Sequence, residues 1–356
     1  MRLPTAPDGR RGCSALARYT DEQIAGTAGR TGGWLLIEHD GPWRHPALAS
    51  EGLDRAVVSE LTRRIAGHDV RPQLIKRPGA RDRTRTGRPS RAYLVHTSRT
   101  RPWARRVDFH DLAELLDIDV TAAEHPEPPE FGHPVDHTLY LVCTHAKKDP
   151  CCAMLGRPVA AALSGGQAEV WETTHVGGDR FAANLVALPQ GVYFGRLTPE
   201  SAQDTVAAFE RGLVLPENYR GRCTDSSPAQ AAEAALRARL GVPVGVDALT
   251  HLAEEETAKG ARVTLGHDGG LYSVEVETEE GTECPSTCSA LSPHARSSTG
   301  YAPSARSAAA PPPEPGTRAG PRTGDRPRGA GPVPSRAPTH PERAMAMVAP
   351  SRCPAS

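Results

Sequence analysis

The chain has 356 residues, enough for two ordinary domains, and its 42 basic and 42 acidic side chains cancel. That balance supplies no global field for nucleic acid or an anionic membrane, and no apolar run approaches the ~20 residues of a membrane span. The first twelve residues hold no apolar signal core, so the expected address is the cytoplasm, where eight cysteines point to metal or redox use rather than to a disulfide framework.

The N-terminal half alternates strand and helix signals. G-W-L-L-I-E reads as a strand and L-D-R-A-V-V-S-E-L-T-R-R-I-A-G as a helix. R-P-Q-L-I-K, R-A-Y-L-V-H-T and A-R-R-V-D-F read as strands, and H-D-L-A-E-L-L-D as a helix. The arginine-rich stretch from Arg77 to Arg88 reads as a solvated loop. An acidic, proline-rich segment from Ala123 to Pro134 then reads as a linker.

A similar order follows. Thr138–Cys143 is a short apolar strand, G-R-P-V-A-A-A-L-S-G-G a helix with glycine past its end, and A-E-V-W-E-T-T-H a second strand. A-N-L-V-A-L-P and V-Y-F-G-R-L form a hairpin about Gln190-Gly191. A helix capped by Thr198, with Pro199 in its first turn, runs towards Gly212. The order β-α-β-β-β-α is that of a thioredoxin-like unit, and the two halves repeat with a period of roughly 100 residues, the cysteines kept in the second copy. The expected fold class is therefore α/β, with tandem thioredoxin-like domains. The expected parts are a degenerate first domain at 10–122, a linker at 123–135 and a second domain at 136–216. A helix plus β-hairpin extension at 217–284 and a disordered tail at 285–356 complete the chain. The hairpin is A-R-V-T-L-G-H-D-G-G-L-Y-S-V-E-V-E with a Gly-Gly turn, and the tail is dominated by Pro, Ala, Ser, Gly and Arg.

Two motifs about 20 residues apart carry the chemistry. L-V-C-T-H-A-K-K-D-P-C-C holds Cys143, Cys151 and Cys152, and T-H-V-G-G-D-R-F holds His175 and Asp179. Cys143 ends one strand, His175 ends the next, and Cys151 and Cys152 fall in the loop before a helix. Ligands gather at the carboxyl ends of strands in such sheets. Thiolates on one loop and harder donors on another suit a metal centre bound unequally at its two ends. Gly177 and Gly178 would let the backbone come close to a bulky inorganic group. His145 reads as a residue that orders the loop, and Cys13 and Cys223 as small packing residues. Cys284 and Cys288 have a zinc-like spacing without a second pair, so they read as unliganded. Arg180 and Arg196 are either surface charges or a positive rim for an acidic redox partner.

C-T-H-x-x-x-D-x-x-C, then H-V-G-G-D-R-F-A-x-N, then G-V-Y-F-G-R-L-T-P, together resemble the sucrase/ferredoxin-like family, from about Cys13 to about Leu215. The resemblance implies a thioredoxin-like ferredoxin with a 2Fe-2S cluster, two cysteines on one iron and two histidines of H-x-G-G-H on the other. Carried onto this chain it names Cys143 and Cys152 as the thiolates and His175 as the first imidazole, with Cys151 a spectator. Asp179 stands where the second histidine is expected. It then ligates through oxygen, or Cys151, Cys223 or water replaces it. The implied function is electron transfer to an unidentified redox partner protein, with neither nucleic acid nor membrane insertion. A thiol-disulfide redox enzyme using Cys143 with Cys151 or Cys152, and a zinc-binding structural module, are the alternatives. An electron carrier is favoured over an enzyme. The paired carboxylates of a glycosidase are missing, so no sucrase activity is expected.

Overall fold

The computed structural model describes residues 9, 11–79, 87–280, 285–291 and 301–309. The elements in chain order are α1 (Cys13–Tyr19), β1 (Gly33–Glu38), α2 (Arg55–Ile65), β2 (Val70–Lys76), β3 (Ser90–His96), β4 (Trp103–Phe109) and β5 (His133–Pro134). Then come β6 (Leu139–Cys143), α3 (Pro150–Leu163), β7 (Glu169–Thr173), β8 (Leu185–Leu188), β9 (Val192–Phe194), α4 (Pro199–Glu210), β10 (Leu213–Val214) and β11 (Tyr219–Arg222). The last are α5 (Ser227–Leu240), β12 (Val244–Gly245), β13 (Thr250–Thr257), β14 (Gly260–His267), β15 (Gly270–Glu280) and β16 (Tyr301–Ala309).

One mixed sheet joins both halves in the order β11-β9-β8-β6-β7-β2-β1-β3-β4-β5. In the first half β1 pairs β2 in parallel, with α2 as the crossover, and pairs β3 antiparallel; β3 then pairs β4. The second half repeats this. β6 pairs β7 in parallel across α3 and β8 antiparallel, and β8 pairs β9. The halves meet where β2 pairs β7 antiparallel, Ile75 opposite Thr173 and Lys76 opposite Glu172. This junction welds the halves through the sheet rather than through a linker. The segment expected to link them adds β5, paired with Arg105 and Arg106 of β4.

Burial explains the strand sequences. All six residues of β1 and all five of β6 are buried, as continuous apolar runs in central strands should be. α2 starts at Asp54, whose side chain accepts from the amides of Ala56 and Val57, and buries Val57, Leu61 and Ile65 at helical spacing. The helix expected at H-D-L-A-E-L-L-D is a short 3-10 turn, Leu112–Leu116, because Asp111 and Glu114 cap one another within a single turn.

The extension packs α5 on an antiparallel meander of β13, β14, β15 and β16. Leu236, Val263, Leu265, Val274 and Val276 form its core. The β14–β15 turn is Asp268-Gly269 rather than Gly269-Gly270: both of its residues have positive φ, and His267 faces Gly270. The tail expected from residue 285 needs correction where it is described. Cys288 is 2% exposed, and β16 pairs along β15 from Tyr272 to Glu280. The remainder of that tail, 292–300 and 310–356, with Cys353, and Cys284 from the segment before it, lies outside the described residues. Among the described residues no helix is long and apolar enough to cross a membrane.

Candidate metal centre

Helix α3 begins six residues earlier than its apolar pattern suggests, so Cys151 and Cys152 lie in its first turn and not in a loop. Asp149 caps it, Oδ1 accepting from the Cys151 amide at 2.8 Å, and Pro150 opens it. Gly156 faces the end of β6: a Cβ there would overlap the Cys143 carbonyl. Its absence lets α3 close onto the strand end, which carries Cys152 to Cys143. The helix also directs its positive end at the two cysteines.

Cys143 and Cys152 are fully buried, and the donor atoms of Cys143, Cys152 and His175 lie within 4.8 Å of one another. Asp179 completes the group from one side. Its Oδ1 accepts from Cys152 Sγ at 3.2 Å and lies 2.8 Å from His175 Nδ1. That imidazole nitrogen is buried and faces the Asp179 carboxylate. An imidazole and a buried carboxylate beside two buried thiols are the donor chemistry of a metal site. The residues present therefore fit a metal group.

The titration directions follow from the packing. The neighbouring Cys152 sulfur and, with it, the His175 imidazole act against burial and hold Cys143 well below the usual thiol range. The Cys143 sulfur, burial and the Asp179 charge push Cys152 up. Burial works to lower His175, but Asp179 and Cys143 outweigh it and raise the imidazole to about 9. Burial works to raise Asp179, and His175 overcomes it.

Surrounding residues hold the donors in place. His145 Nε2 lies 2.9 Å from the Arg44 carbonyl and its Nδ1 accepts from the His175 amide at 3.3 Å, which fixes the tautomer and makes His145 a positioning residue. Gln73 Nε2 donates to the His175 carbonyl at 3.1 Å, so the first half of the chain braces the second. The Gly177-Gly178 turn has φ of +99° and +76°. A Cβ on Gly178 would overlap the guanidinium of Arg220, while one on Gly177 meets nothing. Arg220, 1% exposed, donates to the Gly177 carbonyl at 3.1 Å, Asn184 Oδ1 at 2.8 Å, Thr27 Oγ1 at 3.0 Å and the Thr27 carbonyl. Asn184 in turn donates to the Gly178 carbonyl at 2.8 Å. Sequence reasoning missed Arg220, since nothing in E-N-Y-R-G-R sets it apart from Arg222 or from a surface arginine.

The other candidate residues take different partners. Cys151 points away from this centre, with its Sγ 3.5 Å from Cys288 Sγ, because neighbouring residues on a helix lie about 100° apart. Cys223 Sγ sits against Gly191 and Thr97, so it is no substitute ligand. Cys13, expected to be a small packing residue, and Cys288, expected to be unliganded, converge on Cys151. Arg180 and Arg196 are not a free rim. Arg180 pairs with Glu22 at 2.6 Å, and Arg196 donates to the carbonyls of Ala17 and Glu22.

With this geometry in view, the sucrase/ferredoxin-like family matches residues 24–221, more than half of the chain. The chain belongs to the sucrase/ferredoxin-like family. Among its relatives is the altered inheritance of mitochondria protein 32 of Eremothecium gossypii, 27% identical over 152 residues, 36% of this chain and 49% of that protein. The protein of the same name from Meyerozyma guilliermondii is 30% identical over 95 residues, 23% of this chain and 34% of its own length. The chain thus spans about half or less of the curated relatives it matches. No solved structure matches it.

Proposed function

We propose that the protein is an electron carrier holding one 2Fe-2S cluster. Cys143 and Cys152 would hold one iron and His175 with Asp179 the other, within the second of two thioredoxin-like halves. The observation that carries this reading is the convergence of two fully buried cysteines with the His175 imidazole and the Asp179 carboxylate beyond the carboxyl ends of β6 and β7. When bound, such a cluster supplies one-electron chemistry, and the protein sets its potential and exposure. Imidazole in place of thiolate removes negative charge and favours reduction, and a carboxylate restores part of that charge. The His175 side chain is 25% exposed while both thiols are sealed, so the imidazole edge is where a redox partner protein would approach. The same burial weighs against a thiol-disulfide enzyme, whose nucleophile needs access. The six described cysteines are all free, which suits a reducing cytoplasm.

A second reading is favoured by the compactness of the site. Donors of Cys143, Cys152 and His175 within 4.8 Å of one another also suit one zinc ion in a closed structural module. Anaerobic purification with iron and sulfide quantification, visible absorption and EPR separates the two. Two irons and two sulfides per chain with a cluster spectrum support the carrier, and zinc in their place at Cys143 and Cys152 rejects it.

A further inference from the structure

We propose that Cys13, Cys151 and Cys288, with Asp149, form a second metal site that binds one zinc ion. The three thiols come from three distant segments: the first turn of α1, the first turn of α3 and the 3-10 turn Cys288–Leu291. Cys13 and Cys288 lie outside residues 24–221, the part of the chain that the family match covers.

The spacing is that of one tetrahedral ion. Cys13 Sγ lies 3.8 Å from Cys151 Sγ, and Cys151 Sγ lies 3.5 Å from Cys288 Sγ. Asp149 Oδ2 is 3.6 Å from Cys13 Sγ, and all four donor atoms fall within 4.8 Å of one another. A tetrahedral zinc with Zn–S bonds of about 2.3 Å sets its sulfurs about 3.8 Å apart. A disulfide requires sulfurs about 2.05 Å apart and would leave one of three thiols over. All four residues are buried, as in closed structural zinc sites.

The surroundings prepare the donors. Asp149 Oδ2 accepts from the Cys288 amide at 2.6 Å and from Thr287 Oγ1 at 2.9 Å, which fixes the carboxylate and delivers Cys288 to it. The Cys13 amide donates to Cys288 Sγ at 3.3 Å. The positive end of α3 adds favourable potential for thiolates. On binding, the three thiols release their protons to solvent and the ion takes three sulfurs and one Asp149 oxygen. The site then ties the N-terminal helix and the segment at residue 288 to the helix that presents Cys152. It is a structural cross-link, distinct in its ligands from the iron-sulfur centre.

The test is metal analysis of the full-length protein purified anaerobically from medium containing zinc, with iron and zinc counted in the same sample. One zinc per chain is expected beside the iron. Cys288→Ser and Cys13→Ser should each lose that zinc and keep the iron and sulfide, while Cys143→Ser should do the reverse. To keep the test independent of how the serine variants fold, the unaltered protein is also alkylated with and without excess chelator and mapped by mass spectrometry. Chelator-dependent exposure of Cys13, Cys151 and Cys288 together supports the site. A disulfide between any two of them, or alkylation of all three in zinc-loaded protein, overturns it. So does zinc that survives in folded Cys288→Ser. Two zincs and no iron, one of them lost in Cys288→Ser, would uphold this site while sinking the iron-sulfur reading.

Discussion

Substituting alanine at Gly178 should cost far more than the same change at Gly177, although both residues have positive φ. At Gly177 the added Cβ meets open space, so the cost is that of an unfavourable backbone conformation, about 1–3 kcal/mol. An alanine at Gly178 takes on a left-handed backbone strain of about 1–2 kcal/mol, and its Cβ also overlaps the Arg220 guanidinium. Arg220 makes four hydrogen bonds to Gly177, Asn184 and Thr27. Loss of two of them, at about 1.5 kcal/mol each for a charged donor, adds about 3 kcal/mol. Gly178→Ala should therefore destabilise by about 4–5 kcal/mol and loosen the turn that joins His175 to Asp179. Urea unfolding followed by tryptophan fluorescence reads the stability, and metal content reads the turn. In an Arg220→Lys background, where the slimmer head leaves room, the excess should shrink by about 2 kcal/mol. Equal midpoints for the two alanine variants, or strict additivity with Arg220→Lys, would refute the clamp.

Other outcomes follow from the same structure. Cys143→Ser or Cys152→Ser should abolish iron and sulfide binding, and full retention in either would reject the assignment. Asp179→His should keep the cluster and raise its potential, because imidazole carries less negative charge than carboxylate; voltammetry of both proteins checks the direction. Glu233 should give an acid limb to stability. Burial works to raise its carboxyl, but Arg99, Arg237 and Arg222 outweigh it and hold it below the usual range. A depressed carboxylate contributes stability that is present above its unfolded value of about 4.3 and is lost as pH falls through the lower folded value. Glu233→Gln should flatten that limb in urea midpoints taken from pH 7 to 3, and cost about 3 kcal/mol at neutral pH by stranding buried arginines. A chain ending before residue 285 should lose zinc, and one ending after Ala309 should keep it, as metal analysis of each will show.

The strands were legible where burial forces a pattern. G-W-L-L-I-E and T-L-Y-L-V-C read as apolar runs because both faces of a central strand are covered, and they fall within one residue of β1 and β6. The start of α3 was misread although its signal was present. Asp149-Pro150 is an N-cap followed by an N1 proline, but the apolar periodicity begins only at Gly156 and drew the boundary there. Cys143, Cys152, His175 and Asp179 were legible because short motifs on adjoining strand ends preserve their spacing. Cys13, Cys151 and Cys288 were not. Cys13 and Cys288 stand 275 positions apart, so no local spacing marks them, and each alone is indistinguishable from a packed thiol. Arg220 escaped for the same reason, since its partners come from two distant segments, Thr27 from one and Gly177 with Asn184 from the other.

The first turn of α3 carries the consequence that unites these residues. Cys151 and Cys152 are neighbours in sequence, and the helical rotation of about 100° per residue sends one thiol towards Cys13 and Cys288 and the other towards Cys143 and Asp179. Asp149 belongs to the same turn. One of its oxygens caps the helix and the other receives the Cys288 amide. Helix ends fray first, because their amides lack partners within the helix. Here the fraying turn is the one that presents Cys152, so any restraint on Cys151 or Asp149 also restrains Cys152. Loss of Cys288 should therefore leave iron bound but speed its release to chelator, by a factor of ten for each 1.4 kcal/mol of restraint removed. Iron release from Cys288→Ser, followed by the fall in visible absorbance after chelator addition, reads that coupling. A rate equal to that of the unaltered protein would mean that the two centres share a helix turn without sharing stability.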